Sequence, residues 1–362
     1  MFDISVSYQK HPLKFRFEAG TSRGVLTEKN SYFIQIKNKK NPLQVGLGEA
    51  GPLRGLSPEF EEEEALADFE KYIKSANWEL FPESLEELPL FVSKLPLGYP
   101  SYKFAIEMAV YDYLIGKNGL YFDNAFSQGK SSIPINGLIW MGNTDFMEDQ
   151  IAEKITQGYT CLKLKIGAIH FKEELAILSN LRSQYPKEKL TIRVDANGAF
   201  SHSEAASKLE QLAKLEIHSI EQPIRSGQWK AMAALCREQI MPIALDEELI
   251  GLEHPEQQKQ LLEEVPADYL IIKPSLLGGF AASWDWIEEA QKRRMGWWIT
   301  SALESNIGLQ AIAQFTASLE PSIPQGLGTG ALYHNNFAAG MSIQKGQLFF
   351  DPNFKRVNPF HE

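Results

Sequence analysis

The sequence has little of what marks a secreted, membrane-spanning or nucleic-acid-binding protein. Its 362 residues include only two cysteines, Cys161 and Cys236, which make a poor disulfide framework and a poor metal site. No run of 18 apolar residues is present, so no membrane-spanning helix is expected. The first residues lack a basic segment followed by an apolar one, and no signal peptide is expected. We therefore predict a cytoplasmic protein with reduced thiols.

Positive charge is also scarce. The formal net charge is −10, whereas a nucleic-acid-binding domain carries a basic face. Hydrophobic residues make up 44% of the chain and charged residues 23%, which is typical of a folded globular protein. We expect neither nucleic acid nor membrane as a partner, and the sequence does not determine the oligomeric state.

The first hundred residues predict a small α+β unit. Three runs predict short strands with polar turns between them: Ile4–Tyr8, Leu13–Glu18 and Tyr32–Lys37. The stretch 41–55 is rich in glycine and proline and predicts a long loop. Ser57, followed by Pro58, predicts the start of a helix with an acidic first turn.

A second helix, Tyr102–Ile115, is indicated by apolar residues at helical spacing, among them Phe104, Met108 and Tyr111. We predict that residues 1–125 form an α+β capping domain, and that the C-terminal segment 331–362 completes it.

From residue 126 to residue 330 the pattern predicts a barrel. Short apolar strands alternate with amphipathic helices, which implies parallel pairing. Seven strands are predicted, at Ile133–Trp140, Cys161–Ile166, Leu190–Asp195, Ser219–Glu221, Ile243–Asp246, Tyr269–Lys273 and Trp297–Ser301. An eighth at Ile323–Leu327 would close the ring, which favours an α/β fold of the (β/α)7β, TIM-like type. No G-x-G-x-x-G motif follows an early strand, so a dinucleotide-binding sheet lacks its signature.

Five charged residues stand at the ends of five consecutive predicted strands. In barrels of this type, active sites gather at the C-terminal ends of the strands. The five are spaced 30, 26, 25 and 27 residues apart, about one βα unit per step: Lys165, Asp195, Glu221, Asp246 and Lys273. Lys163, two residues before Lys165, points to the same face of its strand.

These residue types predict a metal site next to a lysine base. Three carboxylates in one pocket repel one another, and a hard divalent cation with oxygen ligands, Mg²⁺ or Mn²⁺, relieves the repulsion. A lysine beside a cation and other lysines has a lowered pKa and can act as a base. A single strand-end aspartate is often only a helix cap, but five buried ionisable groups without compensation would be very costly. We predict Asp195, Glu221 and Asp246 as metal ligands.

At this point the sequence resembles the enolase superfamily, in the branch with lysines on strands two and six. The resemblance extends over nearly the whole chain, including Lys163-Leu164-Lys165, Asp195-Ala196-Asn197, Glu221-Gln222-Pro223, Asp246-Glu247 and Lys273-Pro274. It implies metal ligation by the three acids, and it implies that Lys165 and Lys273 lie on opposite faces of a small carboxylate substrate. Lys163 would assist at the substrate carboxylate.

Within this branch, the segments 271–279 and 300–308 are most similar to o-succinylbenzoate synthases, which are lyases of menaquinone synthesis. The stretch 326–330 carries no carboxylate, whereas dipeptide epimerases typically have an Asp-x-Asp motif there. The alternatives that remain are an N-acylamino acid racemase or dipeptide epimerase, a muconate cycloisomerase, and a non-catalytic metal-binding scaffold. Arg23, Ser301 and Ser305 are candidate substrate contacts, and the loops 20–24 and 48–56 are expected to cover the substrate.

Overall fold

The computed structural model describes residues 4–21, 24–60, 65–117 and 119–361. The candidate contact Arg23 and most of the acidic run before α1, residues 61–64, lie outside these ranges. None of the helices within the described ranges combines the length and the apolar character that crossing a bilayer requires.

The N-terminal domain begins with an antiparallel sheet in the order β1-β2-β3. Its strands are β1 (Ile4–Thr21), β2 (Gly24–Asn38) and β3 (Val45–Ala50). The first two predicted strands are parts of the single strand β1, in which the register shifts between Lys14 and Ala19.

The prediction of an uninterrupted loop over 41–55 is wrong, because β3 lies inside it. Its two glycines were interpreted as loop residues, but they are sites of close packing against a helix. A Cβ on Gly46 would lie 1.9 Å from the carbonyl oxygen of Ala109, and one on Gly48 would lie 1.8 Å from that of Ala105. Glycine in a strand often marks such a close approach of another backbone.

The described residues of this domain also form the helices α1 (Ala65–Ser75), α2 (Leu88–Ser93) and α3 (Pro100–Ile115). Helix α3 confirms the second predicted helix, and most of its residues are buried. Ser57, in contrast, lies in a turn, and its hydroxyl accepts a hydrogen bond from the Leu53 amide at 2.8 Å. The predicted helix start at Ser57 and Pro58 is therefore wrong.

A seven-stranded parallel sheet forms the second part, in the order β11-β10-β9-β8-β7-β6-β5. A two-residue strand, β4 (Ile133–Pro134), precedes it. The seven strands are β5 (Gly137–Ile139), β6 (Cys161–Lys165), β7 (Thr191–Asp195), β8 (Ser219–Glu221), β9 (Ile243–Leu245), β10 (Tyr269–Ile272) and β11 (Gly296–Ile299). The helices around them are α4 (Thr144–Thr156), α5 (Phe171–Gln184), α6 (His202–Ala213), α7 (Trp229–Glu238), α8 (Pro255–Glu264), α9 (Pro274–Leu277), α10 (Phe280–Lys292) and α11 (Asn306–Ser318).

The eighth position of the ring is held by two residues, not by a regular strand. Gln325 forms a parallel bridge with Ile135, and Gly326 forms one with Thr300. The barrel prediction is confirmed, and the predicted eighth strand is reduced to this short bridge.

The C-terminal segment contacts both parts of the molecule. Strands β12 (Met341–Gln344) and β13 (Gln347–Phe350) form a hairpin that pairs with β4, beside the barrel. The sequence predicted that the C-terminal segment joins the first domain, but its hairpin does not pair with that domain. Other residues of the segment do, since Tyr333 bridges Phe15 and Arg356 pairs with Asp112 at 2.6 Å. The division at residues 125 and 330 stays a prediction.

Candidate active site

Strand register brings the predicted charged residues to one end of the barrel. Lys165 is the register partner of Asp195, and Asp195 is the partner of Glu221. Because β6, β7 and β8 run in parallel, their last residues lie at the same edge. Asp246 and Lys273 follow directly after β9 and β10, at the same edge of the sheet.

Lys163 and Lys165 both approach the Asp195 carboxylate. The Lys163 ammonium lies 3.0 Å from Asp195 Oδ2 and 2.5 Å from Glu221 Oε2. The Lys165 ammonium lies 3.2 Å from Asp195 Oδ2. On the other side of the cluster, Lys273 pairs with Asp246. Each of the three buried carboxylates therefore has a lysine side chain within ion-pair distance.

Asn197 extends this cluster beyond the five strand-end residues. Lys165 Nζ donates to Asn197 Oδ1 at 2.7 Å, and Asn197 Nδ2 donates to Glu247 Oε1 at 3.2 Å. Asn197 has a φ of 44°, a left-handed conformation that asparagine tolerates better than most residues. Asn197 and Glu247 belong to the motifs Asp195-Ala196-Asn197 and Asp246-Glu247, but no role was predicted for either residue. A side-chain amide two residues after a strand-end aspartate was the available signal.

The carboxylates determine the ionisation of two of the lysines. Burial alone would lower the pKa of Lys163, but the charges of Asp195, Glu221 and Asp246 raise it above its ordinary value. Burial likewise acts to lower the pKa of Lys273, and its carboxylate neighbours, Asp246 first, raise it overall. The carboxylates therefore favour the ammonium form of Lys163 and Lys273. The lowered pKa expected of a lysine beside a divalent cation stays a prediction.

The acids respond in opposite directions. Burial acts to raise the pKa of Asp195, but the charges of Lys163, Lys165 and Lys273 hold it below its ordinary value. Burial and the neighbouring Asp195 raise the pKa of Glu221 well above its ordinary range. A carboxylate with a raised pKa in a cluster of this kind gains from a further positive charge.

The residues present fit a divalent cation. Glu221 Oε1 and Asp246 Oδ1 are buried and have no hydrogen-bond partner among the described residues. Their donor set is all oxygen, which suits Mg²⁺ or Mn²⁺. Within the described part of the chain, however, no three acidic, histidine or cysteine side chains are gathered closely enough to hold an ion as they stand. Lys163 contributes to this, because its ammonium group lies between Asp195 and Glu221.

A cavity of about 720 Å³ opens above these strand ends. The barrel residues that line it include Lys163, Lys165, Asp195 and Lys273. Trp140 also lines it, and the centroid of its ring lies 5.8 Å from Lys165 Nζ. The N-terminal domain supplies the other wall, through the residues 24–30 and 52–56. Two walls from two domains agree with the expected cover over the substrate.

The candidate substrate contacts have different positions. Ser301 lines the cavity, where its hydroxyl donates to Glu304 Oε2 at 2.6 Å and accepts from Thr329 at 2.8 Å. Ser305 is fully buried, is not among the cavity-lining residues, and donates to Glu49 Oε2 at 2.5 Å. It is the N-cap of α11, so the structure does not support a substrate contact for Ser305. Arg54, within the segment 48–56 that is expected to cover the substrate, also lines the cavity.

Two cavity residues, Lys29 and Trp140, were missed by the sequence analysis. Lys29 follows Thr27 and precedes Ser31 at alternate positions of β2, so polar groups repeat on one face of the strand. No local sequence pattern indicates that this face of β2 lines the cavity at the mouth of the barrel.

Comparison with known proteins agrees with this architecture. Residues 147–350 match a family described as "Enolase C-terminal domain-like". The chain is 43% identical to the o-succinylbenzoate synthase of Desulfotalea psychrophila, over 96% of this chain and 99% of the relative. The crystal structure of MenC from Desulfotalea psychrophila superposes with a TM-score of 0.83 at 40% identity, covering 96% of this chain and 99% of that one. The N-succinyl-L-Arg/Lys racemase of Bacillus cereus is 23% identical over 75% of this chain and 79% of that protein.

Proposed function

Because this chain belongs to the enolase superfamily, we propose that it is an o-succinylbenzoate synthase of menaquinone biosynthesis. It would remove water from 2-succinyl-6-hydroxy-2,4-cyclohexadiene-1-carboxylate to form o-succinylbenzoate. The observation that carries the proposal is that Lys165, at the end of β6, and Lys273, directly after β10, line one cavity together with Lys163 and Asp195. Two cavity lysines and a cation site are the parts that proton removal beside a carboxylate requires.

Asp195, Glu221 and Asp246 would hold a divalent ion, which we propose to be Mg²⁺. When bound, such an ion supplies positive charge that stabilises negative charge developing on the substrate carboxylate. The Lys163 ammonium, buried beside two of these acids, adds a second positive charge at the same carboxylate.

Lys165 is the proposed base. Lys165 must first release its own proton to solvent. As the neutral amine it then takes the proton from the ring carbon next to the carboxylate, and the electron pair of that bond moves into an enediolate. The bond from the ring to the hydroxyl group then breaks as the ring becomes aromatic. Lys165 returns its proton to the departing hydroxyl, which leaves as water, so the lysine ends as the amine it began as.

Lys273 has a different proposed role. Its pairing with Asp246 and its raised pKa keep it an ammonium ion, which suits electrostatic stabilisation of an electron-rich ring better than proton removal. Asn197 and Asp195 hold the Lys165 nitrogen in position from one side.

The test is a direct assay of the purified protein with Mg²⁺ and the cyclohexadiene substrate, followed by the absorbance of the aromatic product. Formation of o-succinylbenzoate is the expected result. A parallel incubation in D₂O with N-succinyl amino acids and with dipeptides tests the alternatives, since a racemase or epimerase would incorporate deuterium at the α-carbon. Deuterium incorporation without dehydration would overturn the proposal. Against an epimerase, the cavity residues Gly326, Gly328 and Thr329 offer no carboxylate for a substrate ammonium group.

A further inference from the structure

Lys29 is a buried cation that the proton-transfer mechanism does not use. It lies on β2 in the N-terminal domain, is 6% exposed, and lines the cavity across from the barrel strands. Its ammonium group donates to the Leu303 carbonyl oxygen at 3.0 Å and makes a long contact of 3.5 Å to Ser31 Oγ. Among the described residues, no carboxylate forms an ion pair with it.

The fold reserves space for this ammonium group. A Cβ on Gly51 would lie 2.2 Å from Lys29 Nζ, so any larger residue at that position would force the ammonium group to shift. The carbonyl that receives Lys29 belongs to Leu303, whose φ of 67° is the left-handed conformation that most side chains avoid. The same carbonyl accepts the Tyr333 hydroxyl at 2.7 Å, so its direction is fixed from two sides.

The nearest acids are committed to other donors. Glu49 accepts from Ser31 Oγ at 2.7 Å, from the Ser305 amide and hydroxyl, and from the Gly308 amide at 2.9 Å. Glu304 accepts from Ser275 and Ser301 hydroxyls and from the Ala302 amide.

Burial lowers the pKa of Lys29, and the charges of Glu49 and Glu304 only partly oppose this. A buried ammonium group that has only a carbonyl and a distant hydroxyl gains from an anionic partner. Lys29 contacts Leu303 and Ser31, whereas the strand-end acids pair with the barrel lysines, so this cation site is separate from the proposed metal site.

We infer that Lys29 binds the second carboxylate of a dicarboxylate substrate, the terminal carboxylate of the succinyl side chain. The inference rests on the proposed function, in which the ring carboxylate is held at Lys163 and the strand-end acids. Lys29 then determines specificity, because a substrate without a second carboxylate leaves this ammonium group unmatched. The competing explanation is that Lys29 only fastens the N-terminal domain to the loop at Leu303.

The test compares two ligands that differ only at the second carboxylate. The dicarboxylate is the product o-succinylbenzoate, and the matched monocarboxylate is 2-butyrylbenzoate, in which a methyl group replaces that carboxylate. Their dissociation constants are measured by calorimetry with Mg²⁺ for the unmodified protein, Lys29→Met, and the control Lys14→Met, an exposed lysine on β1 outside the cavity.

The unmodified protein and Lys14→Met should bind the dicarboxylate about 10- to 100-fold more tightly, as expected for a hydrogen-bonded ion pair with a charged group. Lys29→Met should lose most of this preference, while its affinity for 2-butyrylbenzoate changes little. In kinetics, KM should rise more than kcat falls. If Lys29→Met weakens the binding of both ligands equally, Lys29 only fastens the N-terminal domain to the loop at Leu303, and the inference is overturned. A preference for the dicarboxylate that survives Lys29→Met would overturn it as well.

If Lys29→Met does not fold, Gly51→Ala supplies the second test, because its methyl group must displace the ammonium group. It should reduce the same preference, and an unchanged preference would count against the inference. Failure of the unmodified protein to dehydrate the cyclohexadiene substrate would overturn the proposed function instead. Dehydration together with a preference that does not depend on Lys29 would overturn only the inference.

Discussion

The carboxylate of Glu107, on α3 of the N-terminal domain, accepts the amide of Phe280 at 2.6 Å, at the first turn of the barrel helix α10. Its other oxygen accepts the Ala281 amide at 3.0 Å. One side chain thus caps a helix of the neighbouring domain, and Gly279 makes room for it, because a Cβ there would lie 1.8 Å from Glu107 Oε2. This contact fixes the N-terminal domain, and with it Lys29, against the barrel.

Glu107 should make stability depend on pH. Burial raises the pKa of Glu107 to about 7 from 4.5, so the folded state holds the proton more tightly than the unfolded state does. Protonated Glu107 therefore stabilises the folded state fully below pH 4.5. This contribution, up to about 3 kcal/mol, is lost as pH rises to about 7. Glu107→Gln cannot titrate. Its free energy of unfolding in urea, measured relative to that of the unmodified protein, should be larger at pH 8 than at pH 5, so the variant is relatively more stable at pH 8. A difference independent of pH would contradict this.

Gly48→Ala should destabilise the N-terminal domain. The new methyl group would meet the Ala105 carbonyl at 1.8 Å, and neither β3 nor the buried helix α3 can move away without losing core contacts. Overpacking of this kind typically costs about 1–3 kcal/mol. Thermal unfolding followed by circular dichroism measures the loss, and an unchanged midpoint would show that the two backbones are not in such close contact.

Some features of this fold can be predicted from local sequence patterns, and others cannot. The regular spacing from Lys165 to Lys273 predicts the strand ends, because each βα unit repeats a local pattern of about the same length. The roles of Gly46 and Gly48 could not be predicted in this way. Their meaning depends on a helix more than fifty residues away, so local interpretation predicted a loop where β3 forms.

In the candidate site, too, some residues could be predicted from the sequence and others could not. Lys165, Asp195 and Glu221 lie together because they are register partners at the ends of neighbouring strands, and the regular spacing of the βα units indicates this. Ser305 looked like a polar contact, but its hydroxyl is taken by Glu49 from the other domain. Lys29 was missed because its role depends on how the two domains dock, which no local pattern encodes.

Asn197→Gly should lower kcat with little change in KM. The side-chain oxygen of Asn197 accepts from Lys165 at 2.7 Å, and without it the base loses one of the groups that hold it in place. Glycine keeps the left-handed φ of 44° without strain, so the effect is not one of backbone conformation. We expect a loss of about 10- to 100-fold, since small misplacements of a catalytic group have effects of this size. An unchanged kcat would remove the positioning role.

Mg²⁺ should stabilise the protein through the strand-end acids. A ligand that binds only the folded state adds about 2.7 kcal/mol at a hundredfold excess over its Kd, and the unfolding midpoint should rise accordingly. Glu221→Gln, which alters the buried acid with an unpartnered oxygen, should abolish most of the rise. The control Glu216→Gln, at an acid paired with Lys187 on the surface, should keep it. A Mg²⁺ response of equal size in both variants would place the ion elsewhere.

The role of Lys165 as the base is the central step of the proposed mechanism, and the turnover number of Lys165→Ala tests it most directly. Dehydration of the cyclohexadiene substrate is measured with saturating Mg²⁺, and circular dichroism checks the fold of the variant. Removal of the group that both takes and returns the proton should lower kcat by at least about 10²- to 10⁴-fold while the fold is retained. A folded Lys165→Ala variant with kcat within about threefold of the unmodified protein, far less than loss of a general base costs, would contradict the mechanism.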